Sequence, residues 1–149
     1  MSSGSTARLI DLLVRIPIFQ GLVPSECQKM LHICKQISVS KDAVLYEEGD
    51  PGTRLFILLQ GEVLVQMPNG KEVAHLYPID TIGEMEIASA QTRSARVVAL
   101  TDISGMEIYQ NDLESLFDRE PQIGVKVLRN IINALAHKLA AANQKLSAA

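Results

Sequence analysis

Between Gly83 and Ala95 the chain reads Gly-Glu-Met-Glu-Ile-Ala-Ser-Ala-Gln-Thr-Arg-Ser-Ala, and these residue types at this spacing suit the capture of an anion. Gly83 lets the backbone turn sharply, and Glu84, Met85 and Glu86 can open a short helix whose first N–H groups find no acceptor within it. Bare amides of that kind make a seat for phosphate. Arg93 adds a permanently charged planar fork and Ser94 a hydroxyl donor, and the apolar run Val97, Val98, Ala99, Leu100 fixes both to a strand. Glu84, acceptor-only when ionised, suits a sugar hydroxyl beside the phosphate. The same residues admit a plainer role, in which Arg93 pairs with Glu84 or Glu86 as a structural ion pair.

The elements that must position these groups are mostly short strands. Val44 to Tyr46, Leu55 to Leu59, Val63 to Met67, Glu72 to Leu76, Arg96 to Leu100 and Ser104 to Ile108 are strand candidates. Turn signals separate them at Asp50-Pro51-Gly52, Gly61, Pro68-Asn69-Gly70, Pro78 and Asp102. This punctuation predicts an antiparallel sandwich or roll, with Asn69-Gly70 the firmest hairpin. Such a barrel leaves a mouth for a small ligand. Inward residues such as Val65 and Ala74 would line a base and sugar there, besides their ordinary core role.

Helices flank the strands. Ala7 to Val14 predicts a short helix stopped by Pro17, and residues 1–6 read as disordered or a cloning remnant. A second helix begins at Pro24, with Cys27, Met30, Leu31 and Cys34 at helical intervals. Seven residues apart on one helix, the two cysteines would lie roughly 10 Å from each other, too far for a disulfide. They are expected to be reduced core thiols, and two cysteines cannot hold a four-cysteine iron–sulfur cluster. Near the other end, Asn111-Asp112-Leu113-Glu114 has the form of a capping box opening a helix through Phe117. Pro121 then starts a long helix. Along it Val125, Leu128, Ile132, Leu135, Leu139, Ala142 and Leu146 alternate spacings of three and four, a heptad seam suited either to pairing with a second chain or to packing on the protein's own sheet.

Composition narrows the function classes. With 47% hydrophobic and 21% charged residues the 149-residue chain suits one globular domain with a real core. Its formal charge of −3 and the lack of a basic cluster argue against direct nucleic-acid binding. No apolar run approaches the roughly 18 residues of a membrane span, and the polar start lacks a signal-peptide core, so a cytoplasmic location is expected. His32, His75 and His137 are scattered over different predicted elements. They do not form a metal-ligand set, and no Ser-His-Asp order with a supporting turn is visible, so no enzyme activity is expected.

The stretch 83–95 resembles the phosphate-binding cassette of cyclic nucleotide-binding domains, where Gly-Glu opens a short helix and an Arg-Ser/Thr/Ala-Ala triplet closes the loop. Gly83, Glu84, Arg93, Ser94 and Ala95 fall at that family's spacing. Ile16 to Leu22 resembles the family's first segment, Glu48-Gly49-Asp50-Pro51-Gly52 its first turn, and Ile57 to Val63 its Gly-centred hairpin. The likeness spans roughly residues 15 to 140.

The resemblance implies a mainly β fold with flanking α elements: an antiparallel, jelly-roll-like β-roll with N-terminal helices in 7–36, strands in 37–109 and C-terminal hinge, lid and dimerisation helices in 110–149, all one domain. It implies a regulatory sensor of cyclic AMP or cyclic GMP with no further cofactor. The ligand would sit on Gly83, Glu84, Met85, Glu86, Arg93, Ser94 and Ala95 with Val65 and Ala74, while the last helix moves as a lid. Arg-Ser-Ala resembles the version in bacterial cyclic AMP receptors and so favours cyclic AMP. Asn130, Asn133 and His137 lie off the seam and could donate or accept, although solvent exposure is the expected fate of each. Regulators of this family carry a helix-turn-helix domain after the long helix, whereas this sequence runs to Ala149. The expected output is therefore a domain of a longer protein or a protein partner.

Two departures stand out. Ile79 occupies a position usually Gly, and Glu86 one usually small. A carboxylate facing the phosphate at roughly 6 Å would cost on the order of 3 kcal/mol at an effective dielectric of about 20, so Glu86 is expected to point away. Two alternatives compete with the sensor. One is a degenerate module whose Glu86 fills the anion seat and which serves as a dimeric interaction platform; the other, remote, is a cupin-like metalloenzyme.

Overall fold

Runs of aliphatic and β-branched residues bounded by Gly, Pro, Asp and Asn pair antiparallel throughout the computed structural model, which describes residues 3–89 and 91–148. The strands are β1 (Cys34–Val39), β2 (Val44–Tyr46), β3 (Arg54–Gln60), β4 (Val63–Gln66), β5 (Glu72–Leu76), β6 (Thr81–Ile82), β7 (Arg96–Ala99) and β8 (Ile103–Tyr109). They form two four-stranded sheets, ordered β1-β8-β3-β6 and β2-β7-β4-β5. The expected roll is present as two sheets rather than one closed barrel. Between them lies a core of Tyr46, Phe56, Leu58, Val63, Ile82, Val97, Ala99 and Ile103, to which both sheets contribute.

The β4–β5 hairpin turns where Asn69-Gly70 predicts. Gly70 has φ +82°, Met67 N–H donates to the Lys71 carbonyl at 2.9 Å, and Asn69 Oδ1 accepts the Lys71 N–H at 2.9 Å. In register across the second sheet, Tyr46 faces Val97, Val97 faces Val65 and Val65 faces Ala74. Directly opposed residues share a sheet face. One row thus runs from β2 to β5 on the face that carries the buried Tyr46 and Val97.

The helices are α1 (Ser3–Leu13), α2 (Pro24–His32), α3 (Glu84–Ser89), α4 (Gln110–Arg119) and α5 (Pro121–Ala148), with a 3-10 turn at Pro17–Phe19. Two compact units divide the chain: His32–Ser115 holds the strands, and the described residues up to Leu31 join those from Leu116 onward. Within the helical unit Ile123, Val127 and Ile131 form the buried stripe of α5, which lies against the 3-10 turn. Asn130 Nδ2 donates to the carbonyls of Ile18 at 3.0 Å and Gln20 at 2.9 Å. Glu26 accepts the Val23 N–H at 3.0 Å and Lys126 Nζ at 2.7 Å, and Lys29 pairs with Glu120. Gly124 faces Phe117 so closely that a Cβ there would stand 3.0 Å from the ring's Cγ and 3.2 Å from its Cβ.

Several expectations are corrected. Cys34 opens β1 instead of continuing α2, because pairing with Ile108 of β8 overrides the helical spacing of its side chain. Helix begins at Ser3, inside the stretch 1–6; Met1 and Ser2 lie outside the described residues. Helix α4 starts at Gln110, whose N–H donates to the Thr53 carbonyl at 2.8 Å, which puts Asn111 inside the helix and not at its cap. Asn130, expected to face solvent, holds two backbone carbonyls. Among the described residues no helix is long and apolar enough to cross a membrane.

Candidate functional site

All residues of the candidate anion seat lie in the strand unit, and strand ends place them. From β6 the chain enters Gly83 at φ +92° and turns directly into α3. The helix closes its first turn with the Ile87 N–H donating to the Gly83 carbonyl at 3.0 Å, so the amides of Glu84, Met85 and Glu86 precede any intrahelical acceptor. Glu84 is buried, whereas Met85 and Glu86 are half-buried. Ser89 Oγ donates back to the Met85 carbonyl at 2.6 Å. Ala90 lies outside the described residues.

The return arm is pinned by the turn after β2. Arg93 N–H donates to the Asp50 carbonyl at 2.8 Å and the Arg93 carbonyl accepts the Gly49 N–H at 2.8 Å. Gly52 N–H donates to the Gln91 carbonyl at 3.1 Å, and Pro51 bridges Thr92. Ser94 is exposed and Ala95 half-buried. Val65 is half-buried against the core, and Ala74 is its half-exposed cross-strand partner.

Arg93 is the centre of the arrangement. Only 3% exposed, it lies over the Tyr46 ring with its guanidinium carbon 3.9 Å from the ring centroid, and Nη2 donates to the Arg54 carbonyl. A Cβ on Gly83 would collide with Arg93 Nη1, so the missing side chain gives the guanidinium its place. Nε and Nη1 are buried without a hydrogen-bond partner among the described residues. Burying a donor unpaired costs about 1–3 kcal/mol, more for a charged group. Two such donors on one guanidinium fit an oxyanion that would accept from both.

Glu86 departs from the expectation. Its Oε2 stands 3.8 Å from Arg93 Nη1, facing the guanidinium instead of turning away, at a separation too long for a hydrogen bond. The cause lies at Gly52, where a Cβ would overlap both Glu86 Cβ and the Gln91 carbonyl. The bare backbone at Gly52 lets the stem of Glu86 lie inward.

Sequence reasoning missed what supports the guanidinium. Tyr46 donates its hydroxyl to Oε2 of the buried Glu107 at 2.9 Å, a bond joining β2 of one sheet to β8 of the other. Burial and the neighbouring Glu107 charge raise the Tyr46 pKa, keeping the phenol protonated as the donor. Arg54 Nη1 lies 3.7 Å from the same carboxylate oxygen. The signal was present in Ile103–Tyr109, where Glu107 is the one charged residue of the strand. A charge on an inward position demands a partner.

A family model described as the cyclic nucleotide-binding domain matches residues 36–120. Over 120 residues, 80% of this chain and 33% of the other, the sequence is 32% identical to a cyclic nucleotide-gated potassium channel of Mesorhizobium japonicum. It is 27% identical to a CRP-like cAMP-activated global transcriptional regulator of Mycobacterium tuberculosis, covering 92% of this chain and 61% of that one. The chain thus spans between a third and three-fifths of these relatives. The crystal structure of the N-terminal domain of a transcriptional regulator from Streptomyces coelicolor superposes with TM-score 0.77 at 26% identity, over 86% of this chain and 94% of that one.

Proposed function

The chain belongs to the cyclic nucleotide-binding domain family, and on that premise we propose that the Arg93 seat holds the phosphate of a cyclic nucleotide, cyclic AMP in the first instance. The observation that carries the proposal is the pair of buried donors Nε and Nη1 on Arg93 that make no hydrogen bond among the described residues, fixed by Tyr46 below and the Arg54 carbonyl beside them. The opening amides of Glu84, Met85 and Glu86 approach the same anion, with Gly83 allowing the turn. Ser94 contributes its exposed hydroxyl and Ala95 its small size. Glu84 takes the ribose hydroxyl, and Val65 and Ala74, at the far end of the Tyr46 row, border the base. Cyclic AMP is preferred over cyclic GMP on the Arg-Ser-Ala triplet and on the cAMP activation of the mycobacterial relative.

In this reading the domain is a regulatory switch. Phosphate binding neutralises Arg93 and tightens the loop, and the C-terminal helices move in response because the ligand's affinity differs between two arrangements. The distal part of α5 pairs with a second copy through the seam, whose Ile132 is 62% and Leu139 60% exposed. A partner or a further domain then reads the change. Calorimetric titration with cyclic AMP, cyclic GMP and 5′-AMP tests the proposal. Saturable binding of a cyclic nucleotide is expected, and no heat with either cyclic nucleotide at millimolar concentration refutes it. The Glu86 carboxylate beside Arg93 favours one second reading, a degenerate module that serves only as an interaction platform.

A further inference from the structure

Glu86 stands at the one charged fork of the anion seat, aimed there by the contact of its stem with Gly52. Two carboxylates form ion pairs here, Glu86 with Arg93 and the buried Glu107 with Arg54. The two carboxylates differ in place. Glu107 is bonded to the Tyr46 hydroxyl, whereas Glu86 lies beside Arg93 Nη1, one of the donors an incoming oxyanion would use. Any anion that enters therefore meets a fixed negative charge at short range, and the penalty grows in proportion to the charge it brings.

Resting on the cyclic nucleotide reading above, we propose that Glu86 is a specificity-determining residue that makes the seat discriminate by charge, admitting a phosphodiester monoanion and rejecting a phosphomonoester dianion. A cyclic nucleotide carries one negative charge on its phosphate. A linear 5′-monophosphate carries nearly two above its second ionisation near pH 6. The Glu86 side chain is 21% exposed, so water screens it in part. At roughly 6 Å and an effective dielectric of about 40, between the protein and water values, each unit of ligand charge loses about tenfold in affinity. The dianion loses the square of that factor, about a hundredfold. Shape complementarity to the cyclic ring contributes separately and does not depend on Glu86.

Titration of wild type, Glu86→Gln and Glu86→Ala with cyclic AMP and with 5′-AMP, at pH 8 and low salt, tests the proposal. Glutamine keeps the stem against Gly52 and removes only the charge. The expected result is an affinity gain of about tenfold for cyclic AMP and about a hundredfold for 5′-AMP in both variants, so that the preference for the cyclic ligand falls about tenfold, with the gains shrinking as salt is added. Binding of cyclic AMP by the variants but not by wild type overturns the proposal, since Glu86 would then exclude the monoanion as well as the dianion. If wild type binds cyclic AMP and Glu86→Gln leaves the ratio of the two affinities unchanged, the charge filter is overturned while the cyclic nucleotide reading stands. A ratio that moves only in Glu86→Ala overturns it as well, since packing and not charge would be responsible. If neither wild type nor variant binds cyclic AMP, the functional reading falls and takes this inference with it.

Discussion

The guanidinium of Arg93 lies over the ring of Tyr46 at 3.9 Å, and that ring is itself tethered through its hydroxyl to Glu107 on the opposite sheet. Cation and ring are both buried, so their attraction falls at the strong end, about 2 kcal/mol, of such contacts. The seat's one fixed cation is thus positioned from inside the sandwich, by side chains that need not touch a ligand.

Replacing Arg93 with Ala is expected to reduce cyclic AMP affinity by about 30- to 1000-fold, the loss of roughly 2 to 4 kcal/mol from a charge-assisted pair in a partly dry site. Arg93→Lys keeps the charge but loses the fork and the stacking geometry, so it should recover only part of the loss. Calorimetry decides; unchanged affinity in Arg93→Ala would remove the residue from the site.

Tyr46→Phe retains the ring under Arg93 and deprives buried Glu107 of its hydroxyl donor. Stability should drop by about 1–3 kcal/mol in urea unfolding, with ligand affinity nearly preserved. Tyr46→Leu removes the ring as well and should weaken both. Equal affinities in the two variants would show that the ring does not position Arg93.

Acid should selectively weaken the Glu26–Lys126 pair. The hydrogen bond from Lys126 holds the Glu26 carboxyl below its ordinary value of 4.5, against the opposing effect of burial. A depressed carboxylate contributes stability that is complete above the unfolded-state value and lost as pH falls through the folded one. The difference in melting temperature between wild type and Glu26→Gln should therefore be constant near neutrality and shrink below about pH 4.5. A difference that does not change with pH would contradict the assignment.

Cys34 should resist alkylation at pH 8 in the native protein and react on unfolding, because burial pushes its thiol up to about 12. Burial, with the Glu26 charge, raises Cys27 as well. Since the unfolded thiols ionise near 9 and the folded ones do not, stability should decline as pH rises past that value. Mass spectrometry after iodoacetamide treatment checks the first statement, and alkaline melting curves the second.

The seam of α5 separates association from folding. Ile132→Glu and Leu139→Glu fall on exposed positions and should abolish self-association in sedimentation velocity while changing monomer stability by less than about 0.5 kcal/mol. Ile131→Glu, one residue away on the buried stripe, should unfold the helical unit. A wild-type chain that sediments as a monomer at high concentration would rule out the pairing.

Local chemistry made much of this fold legible. Val44–Tyr46 was closed off by the Asp50-Pro51-Gly52 turn, Glu72–Leu76 lay between Asn69-Gly70 and Pro78, Asn69-Gly70 named its own hairpin, and Pro121 marked the start of α5. What stayed hidden depends on partners far along the chain. Cys34 carries a helical spacing and becomes strand only because β8 is there to pair with it. Thr81–Ile82 is too short to show any period. Tyr46 and Glu107 meet across 61 residues, and the inward turn of Glu86 depends on the absence of a side chain at Gly52. The residue types of the seat could be read from the sequence, but the direction in which each points could not.

At Gly124 a hydrogen atom faces Phe117, and a methyl group there would have to push the ring or the helix aside by a few tenths of an ångström. From residue 124 to the end of α5 the helix runs about 36 Å at 1.5 Å per residue. A wedge of about 0.4 Å acting across one 5.4 Å turn would carry the far tip by about 3 Å. Residue 124 is the fulcrum of a long lever arm, and its smallness sets where that arm points.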